Sequence, residues 1–161
     1  MTPTDFAAMD CSVARTLDVI GDKWSLLILR DAFYGVRRFD DFQEDLGIAR
    51  NVLTDRLQKL VATGVFERRP YEERPPRYEY RLTQKGRDLL PVLLAMITWG
   101  DRWTTDSGMP PVTLTHRTCG CVAHAVVACD QCGEELTLRN VWVDPVKVKG
   151  ASRAAVLEDA V

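Results

Sequence analysis

Glycines and prolines cut residues 39–82 into four short pieces, and that punctuation leaves few folds open. Residues 39–46 have the apolar spacing of a short helix, and Gly47 suits the left-handed residue at which helices end. Residues 49–63 follow with Leu53, Leu57 and Leu60 on one face and Asn51, Asp55 and Gln58 roughly opposite, and Gly64 reads as the C-cap. Residues 65–71 and 77–82 alternate as strands. Pro75 and Pro76 cannot donate ladder hydrogen bonds, which puts them at the tip between the strands. Helix, tight turn, helix and hairpin together can present one helix to a DNA major groove and a basic hairpin to the backbone beside it.

The charge balance supports this only locally. The whole chain of 161 residues carries a formal charge of −2. Residues 49–82 hold eight basic and five acidic side chains, an excess of +3 that leaves −5 for the rest. For a nucleic-acid partner, where the charge sits decides more than its total.

Upstream, residues 11–20 place Val13, Leu17 and Ile20 at helical spacing with Ser12 as expected N-cap. Gly21 breaks that helix, and Asp22 is expected to cap a second over residues 23–33. Downstream, Thr83 should cap a long helix over about residues 84–105, which Pro91 kinks or restarts. The expected fold class is mainly α with a β-wing, a winged helix-turn-helix, followed by a small C-terminal β-rich, zinc-ribbon-like extension. Domain boundaries are expected near residues 108 and 146, with residues 147–161 a mobile tail. No run of 18 apolar residues suggests a membrane span, and residues 1–10 lack a basic-then-apolar leader. The expectation is a cytoplasmic protein without a membrane partner.

Base-edge readout needs donors and acceptors near the start of the second helix of the pair. Arg50, Asn51, Thr54, Asp55 and Gln58 supply them, against the plainer alternative of a solvated helix face. Arg56 and Lys59 flank that face and suit phosphates, although Arg56 could equally form a helix-surface ion pair. Arg74 and Arg77 bracket the proline tip and suit the DNA backbone, with Arg37 and Arg38 as weaker candidates. Trp24, Phe39, Phe42 and Phe66 read as core. Leu93, Leu94, Met96, Ile97 and Trp99 are too many apolar groups for one small core, so the excess, with Val13 and Leu17, reads as a dimer interface, which Trp103 joins unless it covers an effector pocket.

Five cysteines without a secretion signal read as thiols and metal ligands. Cys11 begins a helix with Arg15 one turn on, a setting in which reactive cysteines occur, although free cysteines are commonly just small buried residues. His116-x2-Cys119-Gly120 and Cys129-x2-Cys132-Gly133 have the spacing of two zinc-ribbon knuckles. A structural zinc held by His116, Cys119, Cys129 and Cys132 is expected, with Cys121 competing for the fourth place and His124 a third option. Only two histidines occur, and no nucleophile–base–orienter set is evident, so an enzyme is not expected.

Residues 11–103 resemble the HxlR-type winged helix-turn-helix regulators of the MarR-like group. The resemblance rests on C-S-V-A-R-T-L-D-V-I-G-D-K-W-S-L-L-I-L-R, R-R-F-D-D-F, L-T-D-R-L-Q-K-L-V-A-T-G-V, E-E-R-P-P-R-Y-E-Y-R-L-T-Q-K-G and W-G-D-R-W, in that order. It implies a sequence-specific transcriptional regulator that binds a near-palindromic operator in double-stranded DNA as a homodimer. It also implies that Cys11 stands where some members sense oxidants or electrophiles. Where the family often has Ser-Pro-Arg, this chain has Ala49-Arg50-Asn51, so the resemblance carries no operator sequence. A redox sensor acting through Cys11 and a protein-interaction module are the alternatives.

Overall fold

In a computed structural model that describes residues 5–104 and 111–141, six helices and one hairpin follow one another. They are α1 (Ser12–Ile20), α2 (Lys23–Phe33), α3 (Phe39–Leu46), α4 (Arg50–Ala62), β1 (Phe66–Glu73), β2 (Pro76–Leu82), α5 (Gln84–Arg87) and α6 (Leu90–Trp103). The chain divides into two compact units, residues 1–94 and 95–161. The boundaries expected near residues 108 and 146 and the expected tail lie outside the described residues.

The helix boundaries follow local chemistry. Asp22 accepts hydrogen bonds from the backbone N–H groups of Trp24 (3.1 Å) and Ser25 (3.0 Å), capping α2. Gly47 ends α3 at φ 58°, a left-handed conformation that costs a glycine little. Thr83 accepts from the Gly86 N–H at 3.2 Å and so opens α5. Pro91 does not kink one long helix; it sits in the first turn of a new one, where its missing N–H costs nothing. At α1 the expected cap is displaced: Cys11, not Ser12, is the N-cap, and no side chain caps the helix. At the end of α4, Thr63 is the C-cap and Gly64 the left-handed residue after it.

The core of the first unit joins every one of its main elements. Ile20, Ile28, Leu29, Phe42, Ile48, Leu53, Leu57, Leu60, Val65, Phe66 and Leu93 form one buried cluster. Phe42 and Phe66 meet edge to face, with centroids 6.5 Å apart. Trp24 and Phe39 are half-buried against the same cluster, so all four expected core aromatics contribute. Leu93 is buried here, which corrects its expected place in a dimer interface. The small core already uses it to seat the start of α6.

The wing is longer than expected, because β1 continues through Pro70 to Glu73 and β2 begins at Pro76. In a two-stranded sheet both strands are edges, so Pro70 removes no obligatory central hydrogen bond. Only Arg74 and Pro75, joined by a cis peptide, separate the strands. The register shifts between Pro70 and Glu72, leaving Tyr71 as a bulge. Two contacts unforeseen from sequence anchor the hairpin: the Tyr80 N–H donates to the Arg37 carbonyl at 2.7 Å, and Arg38 bridges to Glu79.

In the second unit the expected β-pieces at 112–115, 125–128 and 135–138 do not form strands. Only two isolated bridges occur there, Thr115 to Val122 and Ala128 to Glu135. The expected piece at 141–143 lies largely outside the described residues. No residue from 111 to 141 is buried, and Val122, Val126, Val127 and Leu138 all lie exposed. β-branched composition does not make a strand without a face to pack against.

Candidate nucleic-acid interface

α4 buries Leu53, Leu57 and Leu60 and turns Asn51, Asp55 and Gln58 outward. These three polar side chains are exposed along one face of a helix whose start is held by α3 and the Gly47 turn. Thr54 is half-buried, and its hydroxyl donates back to the Arg50 carbonyl at 2.8 Å. Lys59 is half-buried beside the same face.

The two arginines of α4 are already engaged. The Arg50 guanidinium lies 4.5 Å from the centre of the Phe39 ring, 3.3 Å from Asp40 and 3.2 Å from the Gln43 side-chain oxygen. It braces the first turn of α4 against α3, and reading a base would require it to leave that site. Arg56 makes an ion pair with Asp22 at 2.9 Å, the second of the two roles its position in sequence allowed. Asp22 thereby links the N-terminus of α2 to the middle of α4. Burial pushes the Asp22 carboxyl up, but the Ser25 hydroxyl and N–H, the Arg56 charge and the Trp24 N–H outweigh it and hold the group below the usual carboxylate range.

On the wing, Arg74 and Arg77 are both exposed at the tip. Arg77 lies 3.3 Å from Glu72 and also engages the Tyr71 hydroxyl, and these partners favour its charged form. Two further cations, Arg38 and Arg68, were not among the main sequence candidates. Arg38 stacks 4.7 Å from the Tyr71 ring and Arg68 3.5 Å from the Tyr78 ring. For Arg68 the alternation of Arg and Tyr across the two strands was the available signal, since side chains diagonal across a hairpin come within reach of one another, whereas Arg38 lies outside the strands, at the N-cap of α3.

On α2, Asp31 is fully buried; it accepts from Arg30 at 2.8 Å through one oxygen. Burial raises its carboxyl above the usual range, although Arg30 opposes this. Cys11 is exposed at the start of α1, with Val13 and Leu17 exposed on the same helix. On α6, Met96, Trp99 and Trp103 are exposed and Ile97 is half-buried.

The cysteine region forms two turns. His116 Nδ1 lies 3.2 Å from Cys119 Sγ, and the Cys121 thiol points at the Cys119 carbonyl, 3.6 Å away. Hydrogen bonds from the backbone N–H and the thiol of Cys121 lower the pKa of Cys119, and backbone N–H groups of Cys132 and Gln131 with the Cys132 thiol lower that of Cys129. Among the described residues, no three His, Cys, Asp or Glu side chains gather into a group that could hold an ion. Among the same residues no helix is long and apolar enough to cross a membrane.

A helix pair with an exposed polar face, a glycine turn and a basic two-stranded wing define a winged helix-turn-helix DNA-binding protein. Residues 19–107 match the family model described as HxlR-like helix-turn-helix, and the chain belongs to that family. An uncharacterized HTH-type transcriptional regulator of Mycobacterium tuberculosis (strain H37Rv) is 48% identical over 134 residues, covering 83% of this chain and 85% of that one. The crystal structure of PA1607, a candidate transcription factor, is 42% identical, covers 88% of this chain and 99% of that one, and superposes with a TM-score of 0.78. The reduced form of the redox regulator HypR is 39% identical, covers 57% of this chain and 92% of that one, with a TM-score of 0.54. The protein is a transcriptional regulator with a helix-turn-helix DNA-binding domain.

Proposed function

We propose that the protein acts as a homodimer on a near-palindromic operator, with α4 in the major groove and the wing on the flanking backbone. The observation that carries this reading is the exposed Asn51, Asp55 and Gln58 face, set on buried leucines and flanked by the arginines of the wing. Exposed apolar side chains on α1 and α6, with Trp99 at 63% and Trp103 at 64% exposure, supply surface for a second copy. A two-fold dimer would set its two recognition helices ~34 Å apart, one turn of DNA.

Titration against the protein's own upstream DNA, with competitor DNA and at several salt concentrations, tests this. Asn51→Ala is expected to lower the preference for the operator by about 1–3 kcal/mol while leaving non-specific binding almost unchanged. Arg77→Ala is expected to weaken every sequence alike and to flatten the salt dependence by about one phosphate contact. Two chains should bind per operator. Equal loss on all DNA from both substitutions, or one chain per site, would reject the arrangement.

A second reading rests on Cys11, which is exposed and stands at the N-cap of α1, beside the apolar side chains assigned to the dimer. HypR, a relative in structure, is a redox regulator. Oxidation of Cys11 would act by changing the dimer that α1 helps to build. Diamide or peroxide is expected to change operator affinity in the wild type and not in Cys11→Ser. The same response in both proteins would dismiss Cys11 as the sensor.

A further inference from the structure

The two turns of the cysteine region are the same turn, built twice. In the first, the His116 N–H donates to the Cys121 carbonyl at 2.9 Å and the Gly120 N–H donates to the His116 carbonyl at 2.8 Å. In the second, the Cys129 N–H donates to the Glu134 carbonyl at 2.8 Å and the Gly133 N–H donates to the Cys129 carbonyl at 2.8 Å. Each is closed by one bridge, Thr115 to Val122 and Ala128 to Glu135. Each has its glycine left-handed, at φ 71° and 77°, where another residue would be strained. This repetition sets up a residue-by-residue equivalence. His116 occupies the place of Cys129, Cys119 that of Cys132, and Cys121 that of Glu134.

We infer that a zinc ion gathers His116 and Cys119 of one turn and Cys129 and Cys132 of the other into one tetrahedral site, a grouping of four that the described residues do not otherwise make. The equivalence decides between His116 and Cys121, because the ligand place in the second turn is filled by Cys129 and not by Glu134. Cys121 instead faces its own turn's carbonyl at Cys119. The first pair is close to the spacing an ion requires. Zn–S and Zn–N bonds at tetrahedral angles put sulfur and nitrogen ~3.6 Å apart, and His116 Nδ1 and Cys119 Sγ are 3.2 Å apart. Three sulfurs and one nitrogen favour zinc among the common divalent ions, and four protein ligands leave no open position, so the role is structural.

There is also a reason for an ion to be needed. No residue from 111 to 141 is fully buried, so no closed apolar core holds the two turns. Ion binding draws the second turn onto the first and gives this region the cross-link its composition cannot provide. The site is independent of the DNA-binding reading.

Metal titration of the full-length, reduced protein tests it, using zinc and, as a spectroscopic probe, cobalt(II). One ion per chain is expected, with the visible absorption of tetrahedral cobalt and a thiolate charge-transfer band. Cys132→Ser should weaken binding by more than about 100-fold, whereas Cys121→Ser and His124→Ala should leave affinity and spectrum unchanged. His116→Cys should keep one ion and intensify the charge-transfer band, adding a fourth thiolate; this variant separates lost ligation from lost folding. Zinc should also protect residues 111–141 from proteolysis. An absence of tetrahedral cobalt absorption, half an ion per chain, or loss of binding in Cys121→Ser but not in His116→Ala would each overturn the assignment.

Discussion

Phe42→Ala is expected to cost about 3–5 kcal/mol of folding stability, most of what a domain of this size holds in reserve. Phe42 is completely buried on α3, in the cluster that also contains Leu53 and Leu57 of α4 and Val65 and Phe66 at the entrance of the wing. Its ring meets Phe66 edge to face at an interplanar angle of 77°, a pairing that adds roughly 0.5–1.5 kcal/mol beyond area burial. Truncation therefore empties the point where both halves of the DNA-binding unit are joined. Urea unfolding should show a large fall in midpoint with little change in slope, and Phe42→Leu should lose much less. Where the variant remains folded, operator affinity should be close to normal, since the side chain does not reach the surface. A loss below about 1 kcal/mol for Phe42→Ala would mean that α3 does not pin the wing.

Much of this architecture is legible in the sequence because local chemistry and burial agree there. Asp22, Thr83 and Gly47 have side chains or backbone freedom that suit one role, and each takes it. The leucines of α4 have a spacing that only a helix places on one face, and all three are buried. The misreadings arise where two residues could serve equally. Ser12 is a better capping residue than Cys11, yet the helix begins one place earlier, at Ser12, because the backbone, with no side-chain cap, sets the boundary. Val122, Val126 and Val127 have β character, but strand propensity reflects packing on a half-buried surface, and these three lie exposed. Leu93 has the apolar character of an interface residue and is instead used by a core too small to spare it.

The candidate interface divides in the same way. The outward face of α4 follows from periodicity alone, so Asn51, Asp55 and Gln58 are exposed as expected. What periodicity does not give is the partner each long cation finds in three dimensions. Arg50 turns back to Phe39, Asp40 and Gln43 seven or more residues earlier, and Arg56 reaches an aspartate 34 positions away. The net positive charge of this segment is consequently less available to phosphate than a count suggests, and the burden of backbone contact shifts toward the wing.

Asp22→Ala is expected to be the most damaging single change outside the core, because one carboxylate serves two elements. It caps α2 through two backbone N–H groups, a role worth about 0.5–2 kcal/mol. It also holds Arg56 of α4 in an ion pair whose side chains are only 35% and 28% exposed for Arg56 and Asp22. Loss of both should total about 1–3 kcal/mol and leave a half-buried guanidinium without its partner. Asp22→Asn separates the roles, since an amide still caps the helix but carries no charge. The folded carboxyl titrates below its unfolded value, so its contribution is complete above the ordinary carboxylate pKa of ~3.9 and disappears as pH falls through the lower, folded value. Urea midpoints measured from pH 7 down to pH 3 should therefore keep a constant gap between wild type and Asp22→Asn above pH ~3.9 and narrow that gap below it. A gap that stays constant across that range would show that Asp22 acts through its shape and hydrogen bonds alone, and that Arg56 is free to serve DNA after all.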